Sequence, residues 1–548
     1  MLIWLIPPLW TLALGLWGLS RQHTVWRDEA ATWQVAGRST PEILRMLHHV
    51  DVVHGLYYLL MHALFSVFGP HTTTLRLPSV LAGAVAATCV ALIGRRLAGL
   101  AAGLAGGLAF GLLPAVQFYL QEGRPYALVA AGAGVSTLLL VAALQEDTGP
   151  RRRAWRWAGY GGAVLVCGLL NWFSLLILPA HLATLLWSRA ADRRTWAAWT
   201  AASAVAVLAV TPLALFSRGQ SAQVSWIPPL TWHMLIGPGV LVLIGGVCAA
   251  VSGRPIAGRA CTDVLRIAPP RTGAPRIAPP RSDAPRTDAP RTGAPRTGAP
   301  RSGAPRTDGP HAHAPRTDGP RTDRLSAAAV GLPLLAVPQL GLVCVSLFQP
   351  LFLDRYVLFS MLGLALLIGA AIGAAVRAAR PRFPRTSAWI VPVAVALATV
   401  ALIPQSLAER SPKSRVDDVM AVASDVQRLK RPGNAVLFIP SARRDTESVS
   451  PGAFSGLHDI ALTETPERSG TLKGLEAAPA RIRTAMLARD RILLVTDVPW
   501  IARPLTAAQD RMKMRVLLTY FTPVADVRVH GRRLTVYERL PRPARAAR

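Results

Sequence analysis

Charge is scarce in this chain. Only 16% of its 548 residues are Asp, Glu, Lys or Arg, and 51% are hydrophobic. A soluble protein of this size would be more polar, so a wholly soluble protein is excluded. Lysine is nearly absent, and arginine supplies most of the formal net charge of +30. In a soluble protein that surplus would suggest nucleic acid. Here the basic residues gather in short loops on one side of the apolar segments, in one repeat segment and in a basic tail, which is the positive-inside pattern of membrane proteins. Cysteine is rare. Cys89, Cys167, Cys248 and Cys344 lie in apolar segments and Cys261 lies in a loop. With no CxxC spacing, neither a disulfide framework nor a zinc site is suggested. No GxGxxG or phosphate loop occurs, so nucleotide binding is not expected. No small-residue cleavage site follows the first apolar segment, Leu2–Leu19, which reads as a retained helix.

Long apolar runs take the place of these missing features. A helix needs ~20 apolar residues to cross hydrocarbon. On that measure membrane helices are predicted at about 2–20, 75–94, 100–119, 125–144, 157–170, 173–188, 196–216, 233–252, 325–348, 356–376 and 387–404, about eleven in all. An odd count puts the termini on opposite sides. Arg95-Arg96, Arg151-Arg152-Arg153, Arg193-Arg194 and Arg377/Arg380/Arg382/Arg385 then share the cytoplasmic side. Asp28-Glu29, Gln121-Glu122, Trp226-Ile227-Pro228-Pro229 and Asp354-Arg355-Tyr356 converge on the outer side.

Segment 55–69 is apolar but spans only ~22 Å as a helix, short of a ~30 Å core. His54, Tyr58, His62 and Ser66 recur every four residues along it as one polar stripe. That pattern predicts an interfacial helix lying in the membrane plane, within one long outer loop, 21–74, that carries short surface helices.

Residues 253–324 are a different material. A pentapeptide close to Ala-Pro-Arg-Thr-Gly/Asp repeats from about Leu265 to Asp323. It has no apolar face to bury and is expected to be disordered and cytoplasmic. A repeat expansion tolerated in a loop fits it better than a lipid or nucleic-acid tether, because disordered loop insertions cost little stability. After Pro404 the composition becomes that of a soluble domain, 405–548. Val416–Leu429 has helical spacing, Ala435–Ile439 and Arg491–Thr496 read as buried strands, and Val527–Val529 with Leu534–Tyr537 flank His530-Gly531-Arg532-Arg533 as a hairpin. A small α/β domain on the outer side is expected.

The chemistry-bearing candidates follow from this topology. Two adjacent carboxylates, Asp28 and Glu29, are costly to keep beside a bilayer and would suit a general base. Gln121-Glu122-Gly123-Arg124-Pro125-Tyr126 and Asp354-Arg355-Tyr356 sit at outer helix ends. There arginine can hold a phosphate by paired hydrogen bonds, and tyrosine offers a stacking face and a hydroxyl. An aromatic belt with snorkelling arginines is the structural alternative for either motif alone. His48, His49, His54, His62 and His71 match no HExxH-type metal motif. No metal ligands are assigned, although a divalent metal stays open as a cofactor.

Taken in order, these pieces resemble a polytopic glycosyltransferase of the GT-C fold, in the family that includes protein O-mannosyltransferases and bacterial lipid A aminoarabinose transferases. An Asp-Glu pair follows helix one. His54-Gly55-Leu56-Tyr57-Tyr58-Leu59-Leu60 with Phe68-Gly69 follows, then Arg76-Leu77-Pro78-Ser79, Gln121 through Tyr126, and later Arg355-Tyr356. Residues 20–130 carry most of the likeness. The resemblance implies an all-α polytopic membrane protein of about 11 helices with a C-terminal soluble α/β domain. It implies a polyprenyl-phosphate sugar donor, mannose by default, and transfer to an acceptor hydroxyl on the outer face with inversion. Asp28 would be the general base, and Glu29 would support it or contact the acceptor. His54, Tyr57, Tyr58, Glu122, Arg124, Tyr126, Arg355 and Tyr356 would bind substrate, with Arg355 on the donor phosphate. Relatives often carry Lys-Pro-Pro where this chain has Val53-His54-Gly55, which leaves His54 or an arginine for the phosphate. The pentapeptide insertion and the tail domain are not general features of the fold.

The acceptor stays open between protein, lipid and polysaccharide; membrane lipid is a partner and nucleic acid is not. A transporter or flippase of lipid-linked glycans is the alternative, but internal repeats and midplane ionisable residues are not seen. A scaffold displaying the tail domain would need a single helix. Arginine-rich coding and the lack of an organelle signal point to a bacterial plasma membrane, with the N-terminus cytoplasmic.

Overall fold

The computed structural model describes residues 2–20, 23–146, 149–188, 191–221, 226–253 and 325–541. The pentapeptide repeat lies outside the described residues. All eleven predicted apolar segments are helical. Among the described residues, seven helices are long and apolar enough to cross a membrane, or eight if one bent pair counts as a span. The remaining predicted segments are shorter or carry more charge. Ile3–Leu16 and Trp172–Trp187 are shorter, and Pro150–Leu170 carries Arg151, Arg152, Arg153 and Arg156 in its first turns.

The bent pair departs from the sequence expectation. One straight helix was expected over 100–119, but Leu100–Leu112 and Pro114–Leu120 meet at 61°. Pro114 has no N–H to continue the helical ladder, and its ring pushes the preceding residue out of the helical region. Leu113 accordingly sits at φ −59°, ψ 126°. The bend delivers the turn at 121–125 to the end of the bundle where the other motifs lie.

The connection between the first helix and Thr72–Ala98 holds three short helices, Arg27–Ala36, Thr40–His49 and Gly55–Phe68. The polar stripe of the third turns toward protein instead of water. Tyr57, Tyr58, Met61 and Phe65 are buried, and His62 hydrogen-bonds the Ala36 carbonyl at 3.0 Å. Of the four stripe residues only Ser66 is exposed.

The C-terminal part is an α/β domain. Its five-stranded sheet runs His458–Asp459, Ala435–Ile439, Arg491–Asp497, Arg532–Arg539, Phe521–Val529. The first three strands are parallel and the last two join antiparallel. Ala435–Ile439 is buried along its whole length, as a strand covered on both faces must be. Its side chains alternate between two cores. Leu437 and Ile439 meet Ile482, Met486 and Leu517, while Val436 and Phe438 meet Val422, Val426 and Phe454.

The predicted helix over 416–429 begins only at Ala421. Residues 417–419 are spent on holding the domain to the first connection. The Val419 N–H donates to the Val25 carbonyl at 2.6 Å. Asp418 accepts from the Val25 N–H at 3.2 Å and the Met420 N–H at 3.0 Å. Asp417 meets the Arg27 Nε at 3.0 Å and the Arg532 Nη2 at 3.1 Å.

Candidate functional site

Asp28 and Glu29 occupy the first turn of Arg27–Ala36, where acidic side chains complement the positive end of the helix dipole. Successive helical residues point about 100° apart, and here that rotation separates two fates. Glu29 is 0% exposed. Its Oε1 and Oε2 each accept from Arg76 at 2.7 Å, and Oε1 also accepts the Gly123 N–H at 2.9 Å. Arg76 spends its remaining donors on the Leu19 and Thr24 carbonyls at 2.9 and 2.6 Å. The pair is fully buried and tied into the surrounding backbone, the arrangement of a supporting group. Asp28 turns to the open side, where its Oδ2 accepts from the Arg355 Nη1 at 2.7 Å. Its side chain keeps 23% exposure.

Arg355 stands at the start of the helical stretch Asp354–Ser360. Its guanidinium lies 5.9 Å from the Tyr126 and Tyr356 ring centres and 5.8 Å from Trp226, within cation–π range. Tyr356 stacks on Phe173 at 4.9 Å and 11°. Asp354 accepts from the Tyr119 hydroxyl at 3.2 Å.

The turn 121–125 supplies the third part. Ser79 fixes it by donating to the Glu122 carbonyl at 2.6 Å, and Thr32 donates to the Gly123 carbonyl at 3.1 Å. Glu122 itself is 1% exposed, and neither carboxylate oxygen has a hydrogen-bond partner among the described residues. Burial pushes its carboxyl up to about 7, against the pull of Arg415 and Arg355. A carboxyl displaced so far by desolvation, among charged neighbours, marks a candidate functional group.

Arg124, next in the turn, donates to the His54 Nε2 at 3.1 Å. The His54 Nδ1 lies 2.6 Å from the Asp51 Oδ1, and the Tyr58 hydroxyl donates to the other Asp51 oxygen. This pattern assigns the imidazole proton to Nδ1, since Arg124 has no acceptor. Burial and Arg124 hold the His54 imidazolium below its ordinary range. Burial opposes ionisation of Asp51, but His54, Arg124 and Tyr58 overcome it and hold that carboxyl well below the usual carboxylate range.

The structure therefore gathers the predicted residues at one end of the bundle. Asp28 meets Arg355, Arg124 meets His54, Tyr126 and Tyr356 flank Arg355, Tyr58 joins through Asp51, and buried Tyr57 lies close enough to feel Arg124, Glu29 and Glu122. A cavity of about 100 Å³ opens beside them, lined by His54, Tyr356, Asn171, Trp172 and Gln220. Sequence reasoning missed Asp51, three residues before His54. It also missed Arg415, which reaches back from the C-terminal part to donate to the Phe118 carbonyl at 2.8 Å. Asp51 stands out in the structure by its left-handed backbone, φ 60°, ψ 35°, a region Asp adopts more readily than most residues, which the sequence does not display. No group of three or more His, Cys, Asp or Glu side chains is placed to hold a metal among the described residues.

This fold defines a class: a multi-pass membrane protein with the GT-C architecture. The solved structure of ArnT from Cupriavidus metallidurans in the apo state is similar to it, with a TM-score of 0.54 at 11% identity over 96% of each chain. The same protein bound to undecaprenyl phosphate gives 0.51 at 13% identity over 96% of each. An oligosaccharyltransferase from Archaeoglobus fulgidus gives 0.45 at 11% identity, covering 90% of this chain and 69% of that one. No protein-family model matches the chain, and no curated protein matches it in sequence.

Proposed function

We propose that the protein is a membrane glycosyltransferase that moves a sugar from a polyprenyl-phosphate donor to an acceptor hydroxyl. The observation that carries this reading is the 2.7 Å pair of Asp28 and Arg355 at the edge of a cluster of arginines, tyrosines and a buried carboxyl. A carboxylate beside a cation is the minimum such a reaction needs: a base for the hydroxyl proton and a positive group for the leaving phosphate. The bound undecaprenyl phosphate in the ArnT structure supports a polyprenyl-phosphate donor.

In this mechanism the donor phosphate takes Arg355 from Asp28, which frees the carboxylate. Asp28 removes the proton from the acceptor hydroxyl as its oxygen bonds to the anomeric carbon. The bond from that carbon to the phosphate oxygen breaks on the opposite side, so the configuration inverts. Arg355 stabilises the phosphate charge that develops, and Arg124, oriented by His54 and Asp51, adds a second cation. Glu122, protonated in part near neutrality, donates a hydrogen bond to the donor. Tyr126 and Tyr356 flank the sugar, with Tyr57 and Tyr58 behind. Glu29 holds the helix that carries Asp28. Mannose is the proposed sugar.

The cationic helix ends at Arg95-Arg96 and Arg151–Arg153 support placing the site on the outer face of a bacterial plasma membrane, with the N-terminus and the pentapeptide repeat in the cytoplasm. Gly55–Phe68 then lies along the outer interface and the α/β domain covers the site. The test is incubation of membranes expressing the chain with radiolabelled polyprenyl-phosphate-mannose, scoring released polyprenyl phosphate and the anomeric configuration of the product. Inverted mannosyl product supports the reading; retained configuration rules out the single displacement.

A further inference from the structure

A second cavity, of about 450 Å³, lies where the C-terminal end of Arg27–Ala36 meets the α/β domain. Trp33, Gln34 and Arg38 line it from one side, and Glu447 and Glu467 from the other. Its size falls in the ~300–1,000 Å³ range of small-molecule clefts. Buried hydrogen-bonding atoms on its wall have no partner. Arg38 is only 4% exposed, yet among the described residues its Nε and Nη1 have no acceptor and the Gln34 Oε1 has no donor. The remaining nitrogen, Nη2, is tied to the Thr471 carbonyl at 2.8 Å, which fixes the fork in place. Buried polar groups are almost always paired, and leaving a charged donor unpaired is costly. The orphaned atoms are therefore read as a ligand's hydrogen-bonding partners.

The donor set selects the chemistry. An anionic ligand meets Glu42, Glu447 and Glu467 as well as Arg38. A cationic ligand meets Arg38 and Arg444. An apolar ligand leaves the orphaned atoms unpaired. A neutral polyhydroxylated ligand offers oxygens to Arg38 and hydroxyl protons to Gln34 and the carboxylates at once. Burial, together with Asp459, pushes the Glu447 carboxyl up to about 7, so near neutrality it also serves as donor and acceptor. Trp33, edge-on to Phe65 at 5.6 Å, supplies an aromatic wall of the kind that suits sugar rings.

We propose that this cavity is the acceptor subsite and that the acceptor is a neutral saccharide chain. The inference rests on the glycosyltransferase reading above and names its acceptor class. Gln34 stands six residues beyond Asp28 on the same helix, about 9 Å along its axis and about 120° round it, so the saccharide chain runs from Arg38 round the helix to the base.

The experiment is saturation-transfer NMR on the purified full-length protein in detergent, with mannotriose, maltotriose and chitotriose as probes. At least one probe binds the wild type, and Arg38→Met and Gln34→Leu each weaken that probe about tenfold, the scale of one lost hydrogen bond to a charged or buried group. Gln34→Leu keeps the test valid should Arg38→Met fail to fold. Absence of binding by all three trisaccharides, or binding unchanged in both variants, overturns the proposal. Asp28→Asn separates the two readings. Saccharide binding that survives in it and still depends on Arg38 upholds the subsite, whatever transfer does. In transfer assays Arg38→Met raises the KM for acceptor and leaves the KM for donor unchanged; an equal rise in both contradicts the assignment.

Discussion

Asp28 and Glu29 show how much one helical turn can separate. Glu29 is locked to Arg76 with no exposure, and Asp28 faces a cation at a half-open site. Removing one partner of a buried, hydrogen-bonded pair leaves an uncompensated charge, worth about 3–5 kcal/mol. Arg76→Met is therefore expected to lower the thermal midpoint in detergent sharply, while Asp28→Asn leaves it near the wild-type value. Glu122 gives a pH prediction. Its folded carboxyl sits at about 7 against an ordinary 4.5, so the folded state holds a proton that the unfolded chain releases. That contribution is fully present below about 4.5 and is lost as pH rises through about 7. Melting curves taken across this window show the loss in wild type and a smaller one in Glu122→Gln; an unchanged slope contradicts the buried-acid assignment. The acidic pair was legible in the sequence because acids beside apolar runs are rare. Which of the two is structural was not, because Arg76 lies 47 positions away and Arg355 lies 327.

Elements position these residues through bends and tight turns. The break at Leu113–Pro114 aims the turn 121–125, and Gly123 lets that turn approach the Thr72–Ala98 helix. A Cβ on Gly123 would overlap the Leu75 Cγ. Gly123→Ala is expected to destabilise by about 1–3 kcal/mol, the usual range for overpacking a tight site, and to reduce transfer, since Glu122 and Arg124 flank it; a wild-type melting curve would refute the close approach. Helices and strands were legible from apolar length and alternation, as Ala435–Ile439 shows with every position buried. Their ends and faces were less so. The stripe His54, Tyr58, His62 reads as wet in isolation, but it is satisfied by Asp51 and the Ala36 carbonyl. The start of Ala421–Leu429 shifted because residues 417–419 bind the first connection, a long-range demand that helical periodicity does not carry.

At the scale of the whole molecule, the α/β domain is part of the site's frame. Asp417 joins Arg27 and Arg532, Arg532 joins Asp445 at 2.8 Å, and Arg443 joins Asp497 at 2.6 Å. Arg27 immediately precedes Asp28, so this network holds the N-terminal end of the helix that carries Asp28. Asp417→Asn is expected to loosen the domain, raising its cleavage by protease, and to reduce transfer with little change in donor KM; unaltered proteolysis and transfer would show the contact to be incidental. The GT-C architecture was foreshadowed by ordered motifs spread from Asp28 to Tyr356 and by the apolar segments, whereas the bend at Leu113–Pro114 was not. The central claim is that Asp28 is the base of a sugar transfer whose leaving phosphate rests on Arg355. The most direct measurement is transfer from radiolabelled polyprenyl-phosphate-mannose by purified wild type and Asp28→Asn at equal protein level. The account predicts transfer by the wild type and a loss of about 10²–10⁴-fold in the variant, the scale of general-base catalysis, with donor affinity retained. Full transfer by Asp28→Asn would contradict it.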